Sequence, residues 1–150
     1  MSLKQKVMEQ LKAAMKRKDK VALESLRAIK SELLLLETGG GDVTVTQAQE
    51  LQLLQRLIKQ RKDSAAMYQE QGRADLAEQE LAQAAIIMQF LPAQMSQEEV
   101  AEQVKLLIDK LGAKSMADMG KVMGVATKEL AGKTDGKTIS TIVKQLLMNQ

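Results

Sequence analysis

Apolar residues recur every three or four positions through almost the whole 150-residue chain, and this spacing constrains the fold more than any other feature. Residues spaced in this way share one face of a helix, whereas a strand needs strict alternation. The first two segments carry Leu3, Val7, Leu11 and Ala14, then Ala22, Leu26, Ile29, Leu33 and Leu36. Strand-like alternation occurs only at Asp42–Thr46, after a glycine-rich turn. The periodicity therefore predicts an all-α fold.

Two more helices are predicted between Thr46 and Leu91, with a turn at Gly72 between them. The expected inner face of the first carries Leu51, Leu54, Leu57, Ile58, Ala65 and Tyr68, and that of the second Ala77, Leu81, Ala84, Met88 and Leu91. Alternating spacings of four and three in the second helix are heptad-like and favour antiparallel packing. Residues 1–92 are thus predicted to be an N-terminal helical hairpin region.

Pro92, the only proline, marks the predicted boundary between two parts of the chain. Ser96 and Glu99 follow it with the spacing of a helix-starting capping box. The remaining apolar pattern indicates one regular helix, then either a pair of short turns or a broken helix from Met116 to Leu130, and a last helix. Residues 96–150 are therefore predicted to form a small C-terminal helical bundle.

Composition excludes several classes of chemistry. The chain has no cysteine and no histidine, which removes thiol nucleophiles, imidazole bases, disulfides and the usual zinc ligands, so that we expect neither metal nor other cofactor. Tyr68 and Phe90 are the only aromatic residues, too few for base-stacking platforms. No signal-peptide or membrane-spanning run is evident, so the sequence predicts a cytoplasmic protein without a membrane partner.

Lysines and glycines recur together near the C-terminus and are the candidate functional residues. The candidate nucleic-acid-binding lysines are Lys114, Lys121, Lys128, Lys133 and Lys137, and the candidate turn or close-approach glycines are Gly120, Gly124, Gly132 and Gly136. A lysine-rich solubilising surface is the alternative interpretation. Gly120 and Gly124 would each cost about 1 kcal/mol inside a helix. Such a cost points to close helix packing or to a partner.

Residues 131–138, Ala-Gly-Lys-Thr-Asp-Gly-Lys-Thr, resemble a phosphate-binding loop with alanine in place of its first glycine. That loop needs a preceding strand and a magnesium-binding acid on a second strand, and neither is predicted here. We interpret Gly132 as a helix terminator and Asp135 or Thr134 as the cap of the next helix. The segment is not predicted to bind a nucleotide.

The chain resembles the YqeY family, whose C-terminal part is similar to the tail domain of GatB, the tRNA-handling subunit of the glutamine-dependent aminoacyl-tRNA amidotransferase. The resemblance covers essentially the whole chain. The stretches that carry it are Leu26-Arg-Ala-Ile-Lys30, Lys59-Gln-Arg-Lys-Asp-Ser64, Gly72-Arg-Ala-Asp-Leu-Ala-Glu78, Phe90-Leu-Pro-Ala-Gln-Met-Ser96, Asp118-Met-Gly-Lys-Val-Met-Gly124, Asp135-Gly136 and Ile142-Val-Lys144.

The resemblance implies an all-helical, two-part molecule whose tail bundle binds tRNA or another structured RNA. The positions most characteristic of the tail are Gly120, Lys121, Gly124, Lys133, Asp135, Gly136 and Lys137. Through the shared domain, the resemblance also brings the description of a carbon–nitrogen ligase with glutamine as amido-N donor. Amide transfer itself takes place in a part of GatB that this chain does not contain. We find no catalytic constellation among the residues, and whether the chain is an enzyme stays open.

The leading hypothesis is a non-catalytic protein that binds tRNA or structured RNA by lysine–phosphate contacts. One alternative is a protein-interaction module in which the acidic hairpin of residues 37–95, with its heptad-like face, binds a protein partner or a second copy. Another is an accessory of the amidotransferase that acts only with catalytic subunits.

Overall fold

The computed structural model describes residues 2–39 and 44–149, and within them the chain is all-α, as predicted. The helices are α1 (Leu3–Arg17), α2 (Lys20–Thr38), α3 (Gln47–Glu70), α4 (Ala74–Met88), α5 (Gln97–Leu111), α6 (Met119–Glu129) and α7 (Gly136–Met148), with a short 3-10 helix at Met116–Asp118. Of the strand-like stretch, Asp42 and Val43 lie outside the described residues, and residues 44–46 are not in a strand.

Side-chain caps explain where several helices begin. Ser2 and Thr46 each form a capping box, with Gln5 and with Gln49. The Asp19 carboxylate accepts the Ala22 N–H at the start of α2. At the start of α5, the Ser96 hydroxyl accepts the Glu99 N–H and donates to the Glu99 carboxylate. The predicted Ser96 cap is therefore present, although Glu99 bonds the hydroxyl and not the Ser96 N–H.

The chain divides into two compact units, Met1–Leu91 and Pro92–Gln150. In the N-terminal unit, α1 packs on α2, α3 pairs with α4, and α2 also contacts both α3 and α4. The core of this unit contains all the apolar residues predicted for the inner face of α1. It also contains all those predicted for α2 except Leu36, which is partly buried. Ser25 is completely buried there, and its hydroxyl donates to the Val21 carbonyl oxygen at 2.8 Å.

The predicted inner face of α4 is partly wrong. Leu81 is 42% exposed, whereas Ile87, which the heptad-like stripe omits, is completely buried. The reason is that α4 packs against both α2 and α3, so its buried arc is rotated towards Ile87. On α3, Leu53 is buried while Leu51 and Tyr68 are only half-buried. Ala77 and Ala84 of the heptad-like stripe are buried within the N-terminal unit.

The C-terminal unit is a three-helix bundle in which α5, α6 and α7 pack against one another. Its core residues are Val100, Val104, Leu107, Ile108, Ala113, Val122, Ala126, Leu130, Ile139, Ile142, Val143 and Leu147. The segment predicted as short turns or a broken helix is a 3-10 turn followed directly by the regular helix α6, and the 3-10 turn contacts α6 and α7. The candidate lysines and glycines all lie in this unit, on α6, at the start of α7 and in the loops before each.

Candidate nucleic-acid interface

The outward face of α6 combines glycine and lysine. Val122 and Ala126 are completely buried and define the inner side of the helix. At 100° per residue, Gly120, Gly124 and Lys128 fall on the opposite side. Lys121 lies beside them, and all four residues are exposed. We call these four residues the α6 face.

The two glycines of the α6 face are open to the outside. A Cβ built at Gly120 or Gly124 would meet no described atom within 4 Å beyond the backbone of its own helix and its chain neighbours. Neither glycine is therefore required for close helix packing inside the unit, the first of the two explanations offered by the sequence. Gly124 still carries the helix-propensity cost of about 1 kcal/mol in the middle of α6.

The loop between α6 and α7 carries Lys133. Gly132 adopts φ +77°, a conformation that favours glycine, and is buried. The next residue, Lys133, is exposed, and its N–H donates to the Leu130 carbonyl oxygen at 3.0 Å. Its own carbonyl oxygen accepts the Met95 N–H at 2.9 Å. The backbone at Lys133 is thus held on both sides while its ammonium group is solvated.

Lys137 lies in the first turn of α7. Asp135, one of the two predicted caps, is the N-cap, and its carboxylate accepts the Thr138 N–H at 2.7 Å. Gly136 is the first helical residue and, like the glycines of α6, is open to the outside. No strand precedes this loop within the described residues, in agreement with the rejection of a nucleotide-binding loop.

Lys114 lies in the turn after α5. Gly112 ends α5 with φ +68°, and the Lys114 N–H donates to the Asp118 carboxylate at 2.9 Å. Because Asp118 also precedes α6, this bond connects the backbone at Lys114 to the start of that helix. The Lys114 side chain is exposed, although the carboxylate close to its backbone makes this position less favourable for an anion.

None of the five candidate lysines forms an ion pair with another described residue. The five ion pairs of residues 2–39 and 44–149 all lie in the N-terminal unit. One of them shifts pKa values: the hydrogen bond from the Arg73 guanidinium lowers the pKa of the Asp75 carboxyl, and the same bond raises the pKa of Arg73. That pair is exposed at the start of α4, and it is remote in sequence from the lysines. Among the described residues, therefore, no carboxylate is within ion-pair distance of a candidate ammonium group.

The sequence did not identify Gln94 as a candidate residue. Its side-chain amide nitrogen lies 2.9 Å from the Pro92 carbonyl oxygen and 2.7 Å from that of Gly132. Gln94 lies within a stretch that supports the family resemblance, but no local pattern indicates a partner 38 positions further along the chain. Only the folded bundle reveals this contact.

A second surface feature is an apolar groove between α1 and α2 in the N-terminal unit. A cavity of about 110 Å³ is lined by Lys4, Val7, Met8, Lys30, Leu33, Leu34 and Glu37. Leu34 is 57% exposed and its neighbour Leu35 is 62% exposed. The Lys4 ammonium and the Glu37 carboxylate form an exposed ion pair of 3.2 Å at the rim.

Residues 2–39 and 44–149 contain neither a membrane-spanning helix nor a metal-binding cluster. No helix is both long and apolar enough to cross a membrane. No group of three or more acidic side chains is arranged to hold a metal ion.

A family model described as Yqey-like protein matches residues 4–147. None of the curated proteins matches the chain.

Proposed function

The chain belongs to the YqeY family, and from this membership and the open α6 face we propose that the protein binds structured RNA, with tRNA as the preferred class. The contacts are between lysine ammonium groups of the C-terminal unit and RNA phosphates. The resemblance of this part to the GatB tail domain supports the choice of RNA. The observation that carries the proposal is that Gly120 and Gly124 are open beside the exposed Lys121 and Lys128.

The α6 face suits a phosphate backbone for two reasons. Glycines without covering side chains allow a phosphate to approach the helix surface closely, and the adjacent lysines supply mobile cations. Lys133 and Lys137 extend the positive surface to the following loop and the start of α7. With no aromatic residue in the C-terminal unit, recognition depends on RNA shape and backbone and not on base stacking.

The proposed function is binding and includes no chemical step. Neither cysteine nor histidine is available in the chain as a nucleophile or a base. An accessory role beside amidotransferase catalytic subunits is compatible with RNA binding, because the tail would then present tRNA to a centre on another chain. Co-purification with such subunits would test that role separately.

Binding to tRNA is expected to depend strongly on salt. Phosphate contacts by Lys121, Lys133 and Lys137 predict a fall in affinity of about 40-fold between about 50 and about 200 mM salt, since each contact releases condensed counterions. The measurement is a fluorescence titration of labelled tRNA with the full-length protein across this range. Poly(U) of similar length is the control, because it lacks stable secondary structure and is expected to bind more weakly. Absence of tRNA binding at the lowest salt concentration would refute the proposed function.

A second candidate function is protein–protein interaction through the α1–α2 groove, with a second copy of the chain as the partner. The exposed Leu34 and the apolar lining of the groove favour it. Lys30 and Glu37 line the same groove, so in a two-fold symmetric contact the Lys30 of one copy can face the Glu37 of the other. Glu37 would then be shared between that lysine and Lys4 of its own chain.

If this second candidate is correct, light scattering should show a dimer that persists at high salt, because apolar burial does not depend on screening. Leu34→Lys is expected to give a monomer with unchanged helix content, since the residue is already more than half exposed. Leu106→Lys, at a similarly exposed leucine of α5, is the matched control and should leave the dimer intact. A wild-type monomer at high protein concentration would exclude this candidate.

A further inference from the structure

The segment that precedes α5 is hydrogen-bonded to the loop that carries Lys133. The Gln94 side-chain amide donates to the carbonyl oxygens of both Pro92 and Gly132, at 2.9 and 2.7 Å. An amide NH₂ group has two hydrogens, so both bonds can form at once. The first bond orients the amide, and the second connects it to the loop.

A backbone bond continues this connection by one residue. The Met95 N–H donates to the Lys133 carbonyl oxygen at 2.9 Å. Two consecutive carbonyls of the loop, those of Gly132 and Lys133, are therefore bonded to two consecutive residues before α5. Orienting two successive peptide units determines the backbone direction at Lys133, and hence the position from which its side chain extends.

Within the loop, the Lys133 N–H donates to the Leu130 carbonyl oxygen at 3.0 Å and Thr134 is buried, but neither contact involves the Gly132 or Lys133 carbonyl oxygen. Gly132 at φ +77° has more backbone freedom than any other residue type would have. The side chain of Lys133 is exposed and forms no ion pair with a described residue. The bonds from Gln94 and Met95 therefore supply an external constraint on the loop.

We propose that Gln94 is a positioning residue for RNA binding, which acts by holding the Gly132–Lys133 backbone so that Lys133 is preorganised to meet a phosphate. The inference rests on the proposed RNA-binding function and assigns to it a residue that carries no charge. Preorganisation increases affinity because the loop need not be ordered when RNA binds.

Gln94→Met tests the inference, because methionine keeps the side-chain length and charge but removes both N–H donors. In the full-length protein, Gln94→Met is expected to weaken tRNA binding about fivefold and to lower the salt slope by up to about 1, the contribution of a single lysine. Gln103→Met on α5 is the matched control at another exposed glutamine and should bind as the wild type does.

A double-mutant cycle with Lys133→Ala distinguishes an effect of Gln94 on the position of Lys133 from a general effect on the stability of the fold. If Gln94 acts through Lys133, Gln94→Met has no further effect on tRNA affinity in the Lys133→Ala background. Amide hydrogen exchange at Met95 should be faster in Gln94→Met, while the helices stay protected. Unchanged affinity of Gln94→Met, or an effect fully additive with Lys133→Ala, would overturn the inference with the RNA-binding function intact. Failure of the wild-type protein to bind tRNA would overturn both.

Discussion

Replacing Lys121, Lys133 and Lys137 by glutamate is expected to weaken tRNA binding about 100-fold, because each exposed lysine–phosphate pair contributes about 1 kcal/mol. The salt slope should fall by about 3, because each lysine that leaves a phosphate removes about one released counterion. All three side chains are exposed, and none is in an ion pair with a described residue, so the fold is expected to be unaffected. The measurements are a tRNA titration across a salt series and circular dichroism of the variant.

The control for this experiment changes the net charge by the same amount elsewhere. Lys20, Lys62 and Lys105 are also exposed and also lack ion pairs among the described residues. Their triple replacement by glutamate is expected to reduce affinity much less, since only long-range attraction is weakened. Equal losses of affinity in the two triple variants would mean that net charge, and not the proposed interface, governs binding.

Replacing Gly120 and Gly124 by alanine is expected to raise the free energy of unfolding and to lower the affinity for tRNA. The free energy of unfolding should rise by about 1 kcal/mol for Gly124→Ala and by less for Gly120→Ala in the first turn, because alanine favours the helix more. The new methyl groups meet no other described part of the protein, so no packing cost offsets the gain. Affinity for tRNA should fall about 10-fold in the double variant if phosphates approach the glycine surface closely. Urea unfolding and tRNA titration measure the two effects.

A size series at Gly124 makes this test sharper. Alanine and leucine have similar helix propensities, so Gly124→Ala and Gly124→Leu should have similar stabilities. If the partner approaches closely, tRNA affinity falls further with leucine than with alanine. Affinity that is equal to wild type in both variants would exclude Gly124 from the interface and would leave its helix-propensity cost without an explanation.

The helices and their starts were largely predictable, since they depend on neighbours in the sequence. The stripe Leu3, Val7, Leu11 and Ala14 is buried as the spacing predicts, and the caps at Asp19 and Ser96 are present. Each of these features needs only residues within about one helical turn. The error at α4 has a different origin, because the choice between Leu81 and Ile87 depends on where α2 and α3 lie around that helix.

The candidate residues of the interface could be named from the sequence, but their arrangement on the surface could not. The sequence alone singled out the lysines, and the helical periodicity placed Gly120 and Gly124 inside or near a helix. Whether those glycines allow close packing within the unit or are open to a partner depends on the position of α5 and α7 around α6. The structure decides this, since a Cβ at either position would meet no neighbouring element.

The amino-acid sequence by itself determined the all-α class, most helix boundaries and the charged residues available for binding, because periodicity, capping and charge are local properties of the chain. Tertiary structure alone decided which apolar residues of α4 are buried, that the α6 glycines are open, and that Gln94 reaches Gly132. These features depend on contacts between residues far apart in the sequence, and such contacts follow from how the helices pack and not from any local pattern.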